Sequence, residues 1–107
     1  MGTDVPRTLA RRMSFGMQDD ISISRAAYRD RNDWVWKAQD AASAQCGVRI
    51  LDVTSYLCEG DRCLGSRQGM PFYHDDDHLS ERGNSLLAPM YKQVFHSLSV
   101  EKIALRQ

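Results

Sequence analysis

The chain has no long apolar run, no excess of charge of either sign and only three cysteines, and each shortage removes a class of function. A membrane span needs about eighteen or more apolar residues in succession, so no segment here is expected to cross a bilayer. Fourteen Lys and Arg balance fourteen Asp and Glu. That balance leaves no long-range field to recruit a phosphate backbone or an anionic membrane, and nucleic acid is not an expected partner. Residues 1–20 carry Arg7, Arg11 and Arg12 without the apolar core of a signal peptide, and Pro6 stands where a myristoylation signal needs Ser or Thr. Three cysteines are too few to build a fold from disulfides. Cys58 and Cys63 are close enough to bridge a short loop, whereas Cys46 lies apart on an apolar helix stripe and is expected to be buried and reduced. The four-residue gap between Cys58 and Cys63 is not zinc spacing, and no metal or other cofactor is expected from the cysteines.

What is present fits one small domain: 107 residues, 42% hydrophobic and 26% charged. Residues 1–20 read as an N-terminal arm with a short helix from Pro6 to Met13. Residues 21–107 carry the main pattern. Ser22 or Ser24 caps a long amphipathic helix whose stripe is Ala27, Tyr28, Trp34, Val35, Ala38, Ala41, Ala42 and Cys46, and Gly47 ends it. Trp34 and Trp36 cannot share a helix face, so Trp34 is assigned to the core and Trp36 outward. Val48 to Val53 reads as a short apolar strand, and a strand so close behind a helix points to an α/β fold with chemistry beyond the strand's C-terminal end. Arg62 to Ser66 is expected to pair with Met70 to Tyr73 in a hairpin. Ser80 caps a last helix with an apolar stripe of Gly83, Leu87, Met90, Tyr91, Val94 and Leu98, and Pro89 must kink or restart it.

The densest chemical signal is His74-Asp75-Asp76-Asp77-His78-Leu79-Ser80. A neutral imidazole can take a proton from a hydroxyl when an acceptor holds its other nitrogen, and Asp75 lies three residues before His78, the right spacing on one turn. On that reading Asp76 and Asp77 point elsewhere. Read differently, the three aspartates form a solvated turn whose charge favours the following helix N-terminus. A third reading gathers the carboxylates, His74 and His78 around a divalent metal. His74 either lines a substrate pocket beside His78 or fills the end of the hairpin, and the alternation of strand side chains favours the hairpin. His96 is expected on the surface.

These residues also carry a resemblance. Val48-Arg49-Ile50-Leu51-Asp52, Tyr56-Leu57-Cys58 with Cys63, and Tyr73 to Ser80 with Gly83 resemble the C-terminal part of the SGNH (GDSL-like) domain found fused to acyltransferase-3 membrane proteins. The resemblance runs from about Val5 to Phe95. It implies a partial three-layer α/β/α, flavodoxin-like segment in which Asp75 and His78 are two members of a Ser-His-Asp triad. The implied activity is O-acyl transfer, usually of acetyl, onto bacterial surface polysaccharide or lipopolysaccharide on the periplasmic side. Gly-Asp-Ser and the Gly and Asn oxyanion donors of that family have no counterpart here: Gly60-Asp61 is followed by Arg62, and none of the ten serines has the nucleophile context. The chain alone is therefore expected to be inactive, and its implied partners are the N-terminal half of the SGNH domain, the acyltransferase-3 membrane domain and a carbohydrate acceptor. Half a domain leaves apolar faces uncovered, so self-association is expected as well. An oxidising compartment would close Cys58 onto Cys63.

Overall fold

Asp4 and Pro6 start the first helix, α1 (Val5–Ser14): the Asp4 carboxylate accepts the Arg7 N–H at 3.1 Å, and proline is at home in a first turn. In the computed structural model, which describes residues 1–106, this segment is built into the core. Met1, Val5 and Leu9 are buried against Ile21, Phe72 and Tyr73.

Strand β1 (Ser22–Ser24) leads into α2 (Arg25–Cys46). Both ends follow the expected chemistry, with Ser24 accepting the Ala27 N–H at 3.0 Å and Gly47 closing the helix at φ 68°. The faces do not follow. Trp34 is 74% exposed, whereas Trp36 packs against Tyr28, their rings 6.2 Å apart, above the Cys58–Cys63 pair. Cys46 is exposed rather than buried. An apolar stripe records what a helix is able to bury. Only the first half of α2 has β1 and the cysteine hairpin to bury it against.

A second correction concerns Val48 to Val53, which forms no strand. Extended backbone becomes a strand only with a ladder partner, and among the described residues no strand lies beside it. Val48 and Ile50 are exposed, while Leu51 and Val53 pack against Leu57, Leu87 and Met90. The strands that do form are short and antiparallel. After α3 (Thr54–Leu57) come β2 (Cys58–Glu59) and β3 (Arg62–Leu64), a tight hairpin in which Cys58 faces Cys63 across the ladder and is bonded to it. Strand β3 also pairs with β1, giving the order β1-β3-β2. This is why the expected hairpin is shorter than its sequence pattern: Arg62 to Leu64 is already taken. Only β4 (Ser66–Arg67) and β5 (Met70–Pro71) pair, around Gln68 and Gly69, both with positive φ.

Buried Ser66 fastens the two parts, its hydroxyl accepting the Ile21 N–H at 2.8 Å. The last helices are α4 (Glu81–Leu86) and α5 (Ala88–Arg106). Pro89 restarts rather than kinks, because its position in the first turn of α5 needs no N–H donor. Beyond Met90, Tyr91, Phe95 and Leu98 of α5 are exposed, Phe95 at 67%. Helices and small sheets together make a mixed α/β segment.

Candidate functional site

The turn from His74 to His78 hangs between a strand end and a helix start. Tyr73 and Leu79 face each other in an isolated β-bridge, the His74 N–H donates to the His78 carbonyl at 3.0 Å, and the Ser80 N–H donates to the Phe72 carbonyl at 2.9 Å. Ser80 also caps α4 by accepting the Gly83 N–H at 3.1 Å, and its hydroxyl donates to the Pro71 carbonyl at 2.9 Å. Gly83 earns its place through close approach: a methyl group on its Cα would overlap the Phe72 carbonyl oxygen. From behind, the Val5 N–H donates to the Asp75 carbonyl at 3.3 Å, and Arg31 of α2 reaches Asp76 at 3.7 Å. Nothing in the sequence signals the Arg31 contact, since the two residues belong to distant segments.

Within this frame Asp75 meets His78. Its Oδ2 lies 2.7 Å from His78 Nδ1, while its Oδ1 accepts the backbone N–H groups of Asp77 and His78 at 2.9 and 2.7 Å. One carboxylate thus fixes the turn with one oxygen and orients the imidazole with the other. Asp76 points away, to Arg31. Asp77 does not behave as expected: its Oδ1 is 3.0 Å from the same Nδ1, although no backbone donor holds it among the hydrogen bonds of the turn. His74 follows the Tyr73–Leu79 bridge with its side chain exposed, and its ring stacks beside that of His78 with centroids 5.4 Å apart. His96 is exposed, on α5.

The charges follow the contacts. Backbone N–H donors from His78 and Asp77, then the imidazole, hold the Asp75 carboxyl far below the usual carboxylate range. The hydrogen bond and charge of Asp75, with a smaller contribution from Asp77, raise the His78 imidazole above its ordinary value. The signs fix a window. The raised His78 stabilises the turn fully below the unfolded imidazole pKa, and this is lost as pH rises through the folded value; the lowered Asp75 contributes above the unfolded carboxyl pKa, and this is lost as pH falls through the folded value. The turn is therefore tightest between about pH 4 and 6.5. In a titration followed by imidazole NMR, His78 should titrate above the ordinary histidine value, and Asp75→Asn should lower it toward the ordinary range. An imidazole that titrates identically in both proteins would mean that Asp75 does not hold it in solution.

Both rings stand on open surface, with His78 69% and His74 64% exposed. No helix among the described residues is long and apolar enough to cross a membrane. No curated protein and no solved structure gives a significant match to the chain. A family model described as the SGNH domain fused to AT3 domains does match, over residues 1–93. The chain accordingly belongs to the SGNH domain family fused to AT3 domains, a hydrolase- and acyltransferase-type segment linked to a membrane domain.

Proposed function

We propose that this chain supplies the Asp and His of a Ser-His-Asp acyl-transfer site, with Asp75 as the orienting carboxylate and His78 as the general base. The 2.7 Å contact between Asp75 Oδ2 and His78 Nδ1 carries the reading. With Nδ1–H donated to Asp75, the neutral imidazole presents Nε2 as an acceptor. A serine from outside this sequence attacks the carbonyl of an acyl donor, and its hydroxyl proton passes to Nε2. The tetrahedral intermediate collapses, the leaving group takes that proton, and an acyl-serine remains. A carbohydrate hydroxyl then attacks the acyl-serine, giving its proton to Nε2 and restoring the serine.

Acetyl is the proposed acyl group, a surface polysaccharide or lipopolysaccharide the acceptor, and the periplasmic face of the inner membrane the place. The AT3 fusion supports this setting, and the Cys58–Cys63 disulfide agrees with an oxidising compartment. Exposed Trp34, Tyr91, Phe95 and Leu98 support the view that further protein, either the nucleophile-bearing half or another copy, covers these faces.

The test uses the protein in which this segment is joined to its nucleophile and AT3 domain. His78→Ala should lower acetylation of the surface polysaccharide by about four orders of magnitude or more, read as acetate released from it by mild base. Acetylation that survives the substitution would leave the segment with a binding or structural role only.

A further inference from the structure

His74 has no task in the acyl-transfer reading, yet its position beside His78 is specific. The two imidazole planes lie within 19° of parallel, and Asp75 Oδ2 is 3.8 Å from His74 Nδ1 and 2.7 Å from His78 Nδ1. One ligand atom from each of the three residues falls within 4.8 Å of the others. Asp77 Oδ1, 3.0 Å from His78 Nδ1, stands next to them. Donor atoms around a tetrahedral zinc ion, with bonds of about 2.0–2.1 Å, are about 3.3 Å apart. The observed separations bracket that value. Both imidazoles are exposed, and the hydrogen bond from the His74 N–H to the His78 carbonyl keeps their backbones in register.

The geometry points to an inhibitory zinc site formed by His74, Asp75 and His78, with Asp77 in reach as a fourth ligand. Two imidazole nitrogens with carboxylate oxygen suit zinc, whereas magnesium and calcium favour sites made of oxygen alone. Its inhibitory part rests on the acyl-transfer reading; ion binding itself does not. An ion on His78 Nδ1 takes the lone pair of that nitrogen and draws Asp75 away from the ring. The remaining ring proton then resides on Nε2, which becomes a donor and can no longer take a proton from serine.

Titration of the 107-residue chain with zinc chloride by calorimetry tests the site without reference to activity. The protein should carry Cys46→Ser, because the exposed Cys46 thiol is itself a zinc ligand. One ion per chain is expected. His74→Ala and Asp75→Asn should each weaken its binding at least tenfold, with amide NMR spectra showing that the fold is kept, and His96→Ala should change nothing. Unchanged affinity in His74→Ala, or loss of binding in His96→Ala, overturns the site. In the complete protein, zinc should halve acyl transfer at the concentration that half-fills the site, and His74→Ala should raise that concentration at least tenfold relative to its own uninhibited rate. Full activity at saturating zinc overturns the inhibitory role, whereas full activity in metal-free His78→Ala would instead remove the acyl-transfer reading.

Discussion

Asp75→Asn is expected to lower acyl transfer by about three to four orders of magnitude in the complete protein, and Asp77→Asn by far less. Both carboxylates approach His78 Nδ1, at 2.7 and 3.0 Å, so distance alone does not choose between them. Support does. Asp75 Oδ1 is fixed by two backbone N–H groups, which leaves Oδ2 aimed at the ring before any substrate arrives. Asparagine at position 75 keeps a carbonyl for those two donors, so the turn survives. It can present an NH2 group where the imidazole must itself donate, and the tautomer with its proton on Nε2 cannot act as the base. The pH profile adds a second reading of the same contact. Rate should rise as His78 loses its proton, along a limb displaced above the ordinary histidine range because Asp75 raises its pKa. Asp75→Asn should move that limb downward as well as lower the plateau. A larger loss in Asp77→Asn than in Asp75→Asn would transfer the orienting role to Asp77.

Gly83→Ala is the substitution expected to cost the fold most. The added methyl meets a backbone carbonyl, that of Phe72, rather than only the movable end of a side chain, and Leu79 Cδ2 would lie 3.0 Å from it as well. Relief requires α4 to move off the Phe72 strand end, which breaks the bond from the Ser80 N–H to Phe72 and strains that from the Ser80 hydroxyl to Pro71. Overpacking of this kind costs about 3 kcal/mol, which for a domain of this size lowers Tm by on the order of 10 °C. Calorimetry would measure it. Because Ser80 closes the turn that carries His78, the ring contact with Asp75 should loosen at temperatures where the rest of the chain is still folded. A melt within a degree or two of the parent protein would show that α4 has room that the Phe72 contact denies it.

Local chemistry was legible from the residues, and long-range partnership was not. The ends of α2 follow from Ser24 and Gly47, the start of α4 from Ser80, and the break before α5 from Pro89, because each depends on groups within four residues. The meeting of Asp75 and His78 is local in the same way, as the spacing of three on one turn indicated. The burial of Met1, Val5 and Leu9 depends on Phe72 and Tyr73, far along the chain, and the Arg31 contact with Asp76 has the same character. Cys46 and Trp34 misled for a physical reason. Periodicity shows which side of a helix is apolar, but the covering surface belongs to some other segment. Val48 to Val53 is the strand case of that rule: the pattern was present and the ladder was not.

That missing ladder also sets how the chain trades protons with solvent. The amide groups of Arg49, Ile50 and Leu51 donate to no other backbone group among the described residues, whereas those of Gly65, Ser66 and Phe72 are tied into the core. In heavy water this largely apolar stretch should therefore label almost at once, while the glycine and serine of the Gly65-Ser66 step label slowly. Hydrophobicity and protection run in opposite directions here, and an extended segment laid beside Val48 to Val53 would reverse their order.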